Sequence, residues 1–201
     1  LTYTPGHKMG ADAKCQVIMN NVQTSVTDTT NYPKSGGLDL ELPTMIGAGL
    51  AFTHAKKWKL GLDYTLHQWS KTDYPEYTEV NGAPTYVLHS NLFKDRHKVT
   101  LGADYCPEEY GRHFLGRVHY RAGVSYATPY LKINGNDGPK EISATVGFGI
   151  PIINTWNNRS TLNISAGWVR QEAKGLITEN TFRINIGLTF NERWFAKWKV
   201  E

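Results

Sequence analysis

Apolar and polar residues alternate along most of this chain. In residues 182–190, every second side chain is apolar, and the residues between them are small, polar or charged. A period of two predicts β-strands with one apolar and one polar face, whereas the helical period of 3.6 is nearly absent. The alternation predicts strands at about 180–190, 160–172, 141–152, 113–131, 95–106, 57–70, 44–54 and 12–24, with a short strand at 1–4.

The predicted connections alternate between short turns and longer loops. Short turns are predicted at 54–57, 106–112 and 152–160, and longer loops at 25–43, 71–94, 132–140 and 173–179. A soluble sandwich with an inward apolar face would show the same alternation of side chains. Short turns on one side and long loops on the other are typical of outer-membrane barrels. The chain is therefore interpreted as an all-β, transmembrane, antiparallel up-and-down β-barrel whose apolar side chains face lipid.

Aromatic residues concentrate near the predicted strand ends, where a membrane barrel carries belts of amphipathic rings at headgroup depth. The belt at the short turns is predicted to contain Trp58, Tyr105, Phe114, Trp156 and Trp194. The belt at the long loops is predicted to contain Tyr126, Tyr130, Trp168 and Phe182. The alternative is that these rings fill the rims of a soluble core.

The composition fits a strand-rich protein and argues against several other classes. The mean hydropathy is −0.45, and no apolar run approaches the roughly 18 residues of a membrane-spanning helix. The net charge of +4 is spread along the chain without a basic stripe, so no nucleic-acid partner is expected. The two cysteines, Cys15 and Cys106, either form one disulfide or remain unpaired, and they are too few for a zinc site.

The first ten residues lack the charged and apolar regions of a signal peptide and begin as if within a strand. About nine strands are predicted, whereas single-chain bacterial barrels have an even number. The expectation is a single β-barrel domain over residues 1–201, or the C-terminal part of one with a truncated first strand.

Residues 38–70, with their Leu-Pro-x-x-x-Gly-x-Gly segment, resemble the outer-membrane long-chain fatty acid transporter family of the FadL type. Residues 176–200 resemble the last strand and basic tail of members of this family. The resemblance implies a barrel of about fourteen strands with an N-terminal plug, moving hydrophobic molecules across the outer membrane. The plug has no counterpart in these residues, and no family site residue is carried over. The matching residues of the first segment are Leu42, Pro43, Gly47 and Gly49, followed by Gly61, Asp63 and Tyr64.

Charged residues and histidines fall on the polar faces of several predicted strands and would point into the lumen. A cationic lumen could hold the carboxylate of an amphiphile, whereas paired charges could simply lock neighbouring strands together. Both interpretations stay open on the sequence. The candidate ligand-binding residues are Lys59, Asp63, His67, Lys98, Arg117, His119, Arg121 and Arg183.

No catalytic, metal or cofactor motif is found. The seven histidines lack ligand-like partners at metal-binding spacing. No serine and histidine are placed to form a nucleophilic pair, and no phosphate-binding loop is present. The sequence therefore predicts a protein that is not an enzyme and needs no cofactor.

The leading hypothesis is passive uptake of a hydrophobic or amphiphilic small molecule, such as a long-chain fatty acid, across a bacterial outer membrane. The predicted partners are outer-membrane lipid, lipopolysaccharide and the transported molecule, and the sequence does not indicate the oligomeric state. Two alternatives are a closed small barrel with a structural or adhesive role, and a soluble lipocalin-like binder.

Overall fold

The computed structural model describes residues 1–10, 16–31, 39–80, 83–133, 135–153, 159–176 and 178–190. These residues form sixteen strands, a four-residue helix α1 (Phe114–Arg117) and a 3₁₀ turn (Trp69–Lys71). No helix in this part of the chain is long and apolar enough to cross a membrane. The strands are β1 (Thr2–Thr4), β2 (His7–Gly10), β3 (Gln16–Asn21), β4 (Val26–Asn31), β5 (Asp39–Leu42), β6 (Met45–His54), β7 (Trp58–His67), β8 (Tyr74–Val80), β9 (Ala83–His89), β10 (Arg96–Tyr105), β11 (His119–Ala127), β12 (Lys132–Ile133), β13 (Asn136–Asp137), β14 (Lys140–Ile153), β15 (Arg159–Glu172) and β16 (Glu179–Thr189).

Eight of these strands form one sheet in the order β1-β6-β7-β10-β11-β14-β15-β16. The order confirms the seven predicted strands between 44 and 190 and the short first strand. The last four strands pair antiparallel in continuous register. Within the described residues β1 and β16 are the two edges of the sheet, so a closed barrel of about fourteen strands stays a prediction.

The apolar face of this sheet is exposed, as the alternation predicts for a lipid-facing wall. Leu101 is 51% exposed, Val146 57% and Ile184 77%, while polar-face neighbours such as Thr100 and Ser143 are half-buried. Among the described residues no large side chain is fully buried. A soluble sandwich would pack its apolar face inward, so the exposure fits a transmembrane sheet instead.

An aromatic row lies at the short-turn end of the sheet and confirms part of the predicted belt. The rings of Trp58, Tyr105, Tyr120 and Phe148 follow one another across β7, β10, β11 and β14, with centroids 4.3, 6.5 and 5.9 Å apart. Of the other predicted members, Phe114 lies in α1, and Trp156 and Trp194 lie outside the described residues. Tyr126 and Phe182 are exposed toward the long connections.

The predicted strand at 12–24 is confirmed only over Gln16–Asn21, which is β3, and its predicted place in the barrel wall is wrong. Residues 11–15 lie outside the described part of the chain, and residues 16–31 form a hairpin of β3 and β4 that is separate from the main sheet. The strand that follows β1 in the chain, β2, pairs instead with β5, the strand that precedes β6. In this antiparallel pair His7 lies opposite Leu42. The alternation of short turns and long loops also predicts a short turn at residues 5–10, but these residues begin the long connection between β1 and β6.

The predicted strand at 113–131 is too long at both ends. Residues 106–118 form a closed loop in which Glu108 N–H donates to Gly116 O at 2.8 Å, so the Gly116 carbonyl is not available to a ladder. This loop is longer than the connection 173–178, so loop length alone does not mark the side of the sheet. At the other end β11 stops at Ala127 because Pro129 has no N–H to donate.

The connection between β6 and β7 is a tight turn, as predicted. Lys57 N–H donates to His54 O at 3.1 Å, and the two central residues, Ala55 and Lys56, have φ of 50° and 55°. Two successive positive φ values define a type I′ turn, whose twist matches that of antiparallel strands. The turn forms without the Asn-Gly sequence that usually provides this conformation.

The chain divides into two compact units. The sheet unit comprises residues 47–65, 97–128 and 138–201. The loop unit comprises residues 1–46, 66–96 and 129–137, and it contains the hairpins β3–β4, β8–β9 and β12–β13. Glu41 of the loop unit connects two of its segments, because its carboxylate accepts from Lys8 Nζ at 2.9 Å and from Asp73 N–H at 3.0 Å.

Arginine substitutions on the two faces of β14 test the orientation of the sheet. Val146→Arg should lower the free energy of unfolding by about 2–4 kcal/mol near the bilayer midplane, because it places a charge against lipid. Thr145→Arg, whose side chain faces the polar side, should cost much less. Urea unfolding in lipid vesicles measures both, and equal losses would contradict the two faces.

The Glu41 contacts predict an acid-sensitive loop unit. The Asp73 N–H and then the Lys8 ammonium hold the pKa of Glu41 below its ordinary value of 4.5. A carboxyl whose pKa is lowered by folding stabilises the folded state fully above its unfolded pKa, and this contribution is lost as the pH falls through the folded pKa. Exchange of the Asp73 amide hydrogen, corrected for its intrinsic rate, should therefore rise several-fold below pH 4.5.

Two variants separate this contact from general acid effects. Glu41→Gln should remove the acid-dependent rise in Asp73 exchange, because the titrating acceptor is gone. Glu76→Gln removes another carboxylate of the loop unit that does not bond the Asp73 amide, so it should retain the rise. An acid dependence that persists in Glu41→Gln would contradict the assignment.

Candidate functional site

The polar face of the sheet unit lines an open trough of about 810 Å³. Its walls come from β6, β7, β10, β11, β14 and β15, and most of the inward residues are glycine or small and polar. Small side chains leave space beside the strands, and this space is the trough. These inward residues include Gly61, Thr100, Gly102, Gly123, Ser125, Ser143, Thr145, Gly147, Asn163 and Ser165.

Four of the eight predicted site residues line this trough: Lys59, Asp63, Lys98 and Arg121. The structure thus brings together side chains from β7, β10 and β11 that the alternation placed on one face. Asp104, also on that face of β10, lines the trough beside them. Whether these residues bind a ligand stays a prediction.

A hydrogen-bonded network crosses the trough wall around Asp104. Its carboxylate lies 2.8 Å from His119 Nδ1 and accepts from Arg121 Nε at 2.9 Å. Arg121 Nη1 also donates to Asn163 Oδ1 at 2.7 Å. Arg121 therefore joins β10 to β15 across the intervening β14, and both Asp104 oxygens are occupied.

Gly149 provides the space that this network needs. It faces His119 on β11 and Asn163 on β15. A Cβ at this position would lie 3.1 Å from His119 Cβ and 3.2 Å from Arg121 Nη2, closer than ordinary van der Waals contact. The absence of a side chain at 149 lets the guanidinium lie across β14.

Three charges of the trough are not engaged in this way. Among the residues that the structure describes, Lys59, Asp63 and Lys98 have no hydrogen-bond or ion-pair partner. Lys59 and Asp63 are exposed to the trough, and Lys98 is half-buried. The wall therefore combines one satisfied network with two lysines available to an anion.

The remaining predicted site residues lie elsewhere. Arg117 is in α1 rather than on a strand, and its buried Nε has no hydrogen-bond partner within the described residues. The prediction that Arg117 aligns with His119 and Arg121 on one strand face is wrong, because β11 begins only at His119. His67 ends β7 within the loop unit, and Arg183 lies on edge strand β16 opposite Gly167.

No group of three or more His, Cys, Asp or Glu in the described ranges is arranged to hold a metal ion. Cys106 is buried, and its Sγ lies 3.7 and 3.8 Å from the carbonyl oxygens of Gly116 and Arg117. Cys15 lies outside the described residues, so a disulfide between Cys15 and Cys106 and two unpaired cysteines both stay predictions.

Sequence reasoning missed two features. Asn163 was not selected, although its place on the polar face of β15 was predictable from the alternation. The second feature is an aromatic cluster in the loop unit containing Trp69, Tyr74, Phe93 and Tyr130. Tyr130 was predicted to join the outer belt but packs on Trp69, and no periodicity connects these four positions.

Substituting Gly149 tests the network. Gly149→Ala should lower the free energy of unfolding by about 1–3 kcal/mol, because the new methyl group displaces His119 and Arg121. Gly102→Ala is the matched control: it lies on the same face, and a Cβ there meets nothing within 4 Å. Urea unfolding compares the two, and equal effects would contradict the close approach at Gly149.

Comparisons with known proteins agree with this architecture. The structure resembles that of the CymD monoaromatic hydrocarbon channel, with a TM-score of 0.55 and 17% sequence identity over 94% of this chain and 46% of that one. At this identity the likeness shows the fold alone, and the chain spans about half the length of that channel. No curated protein matches the sequence.

The resemblance to long-chain fatty acid transporters is not confirmed by these comparisons. A family model described as BamG matches residues 1–201, the whole of the sequence. The chain therefore belongs to the BamG family.

Proposed function

We propose that this chain forms part of the wall of a bacterial outer-membrane β-barrel, in contact with membrane lipid and lipopolysaccharide. The exposed apolar face of the sheet and the aromatic row from Trp58 to Phe148 support this location. An aqueous location would leave this face in water at a large hydrophobic cost.

The open edges of the sheet support a larger barrel. In hydrocarbon every backbone N–H and C=O must be paired, so lipid-exposed sheet edges do not persist. The outer edges of β1 and β16 therefore need pairing partners, and the resembling channel is about twice as long as this chain. The proposed barrel is completed by strands outside residues 1–201.

We propose that this barrel passes amphiphilic small molecules, without catalysis or a cofactor. The observation that carries the proposal is the open trough of about 810 Å³ on the polar face. A wall of glycines and small polar side chains leaves space that a structural barrel would fill with larger ones. The resembling structure is named as a channel for monoaromatic hydrocarbons, which fits a small-molecule path of this kind.

In the part of the chain that the structure describes, the two unpartnered lysines of the trough outnumber its one unpartnered carboxylate, Asp63, and therefore favour a substrate with an anionic head group. Lys59 and Lys98 lack ion-pair partners among the described residues, and a carboxylate entering the trough would supply one. Long-chain fatty acids have this combination of an apolar chain and a carboxylate. Electrostatic attraction of this kind also raises the local concentration of the anion.

A non-transporting barrel is the second candidate, and the Asp104 network favours it. The bonds among Asp104, His119, Arg121 and Asn163 connect β10, β11 and β15, as expected of a lumen that only holds its strands together. A soluble lipocalin-like binder is disfavoured, because it would need the apolar faces to be buried.

Removing the two free lysines tests the proposed substrate class. In the full-length protein, Lys59→Gln with Lys98→Gln should reduce uptake of oleate by about 5- to 30-fold, because two partly exposed ion pairs of about 0.5–1 kcal/mol each are lost. Uptake of oleyl alcohol, which has no charge to pair, should stay unchanged. Radiolabel uptake by intact cells that lack their own fatty acid transporter measures both.

The matched control is Lys56→Gln, which removes a lysine from the turn between β6 and β7 and should leave both uptakes unchanged. Equal loss for acid and alcohol in the double variant would contradict the head-group role. No saturable uptake of either compound by the unsubstituted protein would contradict transport and leave the structural barrel.

A further inference from the structure

The loop unit contains a compact cluster of four aromatic rings. The Trp69 ring stacks on the Tyr130 ring with centroids 5.3 Å apart. The centroids of Trp69 and Phe93 are 5.7 Å apart. Tyr74 meets Phe93 edge-on at 5.8 Å. Offset and edge-to-face pairs at these distances stabilise one another beyond the burial of their surface. The cluster is therefore a rigid apolar platform rather than a set of independent exposed rings.

A pocket of about 890 Å³ lies against this platform, entirely within the loop unit. Besides the four rings, aliphatic side chains such as Leu40, Leu42, Leu92 and Leu131 line it. Its volume falls in the range of small-molecule sites, and such sites are mostly apolar with few polar groups. Apolar molecules fit this lining.

The ionisable side chains of the pocket wall already have partners. Glu41 is bound by Lys8 and the Asp73 amide. Lys132 Nζ donates to Asn91 O at 2.9 Å, and the Glu76 carboxylate lies 3.9 Å from His89 Nδ1. An anionic ligand would lose its hydration here, and the wall offers it one ammonium, Lys132, together with the two carboxylates of Glu41 and Glu76, which is unfavourable. The wall therefore selects for neutral molecules.

The segments that form the pocket are also fixed to one another. Lys94 N–H donates to Tyr130 O at 2.8 Å, and Phe93 and Leu131 form a β-bridge. The Lys94 ammonium pairs with Asp137 of β13. A site that is already ordered before binding avoids the entropy cost of closing loops around a ligand.

We propose that this pocket is a binding site for neutral, ring-containing apolar small molecules. The rings of the ligand stack on the Trp69–Phe93–Tyr130 platform, and its aliphatic parts contact the leucines. The pocket differs from the trough in the ligand it favours, because the trough contains two lysines that are unpartnered among the described residues, and these favour anions. A role of the pocket in uptake rests on the proposed function, but binding itself does not.

Equilibrium dialysis of radiolabelled naphthalene against the detergent-solubilised full-length protein tests the site, with detergent-only binding subtracted. The unsubstituted protein should bind naphthalene saturably at one site. Phe93→Ala removes part of the platform, and Leu92→Trp fills the pocket without removing a ring; each should weaken binding at least about tenfold. The charged counterpart 2-naphthoate should bind at least about tenfold more weakly than naphthalene.

Phe182→Leu is the matched control, because it removes an exposed ring from β16 in the sheet unit and should bind naphthalene as the unsubstituted protein does. Circular dichroism verifies that each variant is folded. Unchanged binding in a folded Leu92→Trp protein, or the absence of saturable binding, would overturn the site. Equal affinity for naphthalene and 2-naphthoate would overturn its selection for neutral ligands.

The outcome is separable from that of the proposed function. A protein that binds naphthalene but shows no saturable oleate uptake keeps the pocket and loses the transport proposal. A protein that takes up oleate but binds no naphthalene keeps the transport proposal and loses the pocket.

Discussion

Hydrogen bonding between neighbouring strands holds the eight-stranded sheet together, because the described residues contain no large buried apolar core. The few buried apolar side chains are small: Cys106, Val118, Ala127 and Ala173. With so little apolar packing, the ladders fix the register, and the register decides which side chains share a face. The exposed apolar face and the trough both follow from that register, since a shift by one residue would exchange the side chains of the two faces.

The same register explains why the faces of the strands could be predicted from the sequence. A period of two is a local property, so Val99 and Leu101 could be placed opposite Thr100 and Gly102 without knowing the fold. Lys59, Lys98 and Arg121 were grouped correctly because each lies on the polar side of a long strand. The prediction failed where the period stopped, at Arg117, since the helical turn before β11 leaves no trace in an alternating pattern.

The loop unit could not be derived in this way. Trp69, Phe93 and Tyr130 belong to a 3₁₀ turn and two connections that are far apart in the sequence, and no local pattern links them. Hairpin β3–β4 shows the same limitation, since the apolar residues Val17, Ile18 and Met19 predict a strand but do not show that it pairs in a separate hairpin. Pairing partners decide between a strand in the wall and a hairpin in a loop, and local pattern contains no information about partners.

The two candidate sites differ in which of their charged side chains have hydrogen-bond or ion-pair partners, and this difference decides which ligands each site favours. In the trough, the Asp104 carboxylate is bonded by His119 and Arg121, while Lys59 and Lys98 have no ion-pair partner in the described residues. In the aromatic pocket Glu41, Glu76 and Lys132 each have a hydrogen-bond or ion-pair partner, and the rings and leucines provide the apolar surface that a ligand would contact. A molecule with an apolar ring or chain and an anionic head contains groups suited to each. Under the proposed function, amphiphiles are therefore the class of molecule for which both sites offer complementary chemistry.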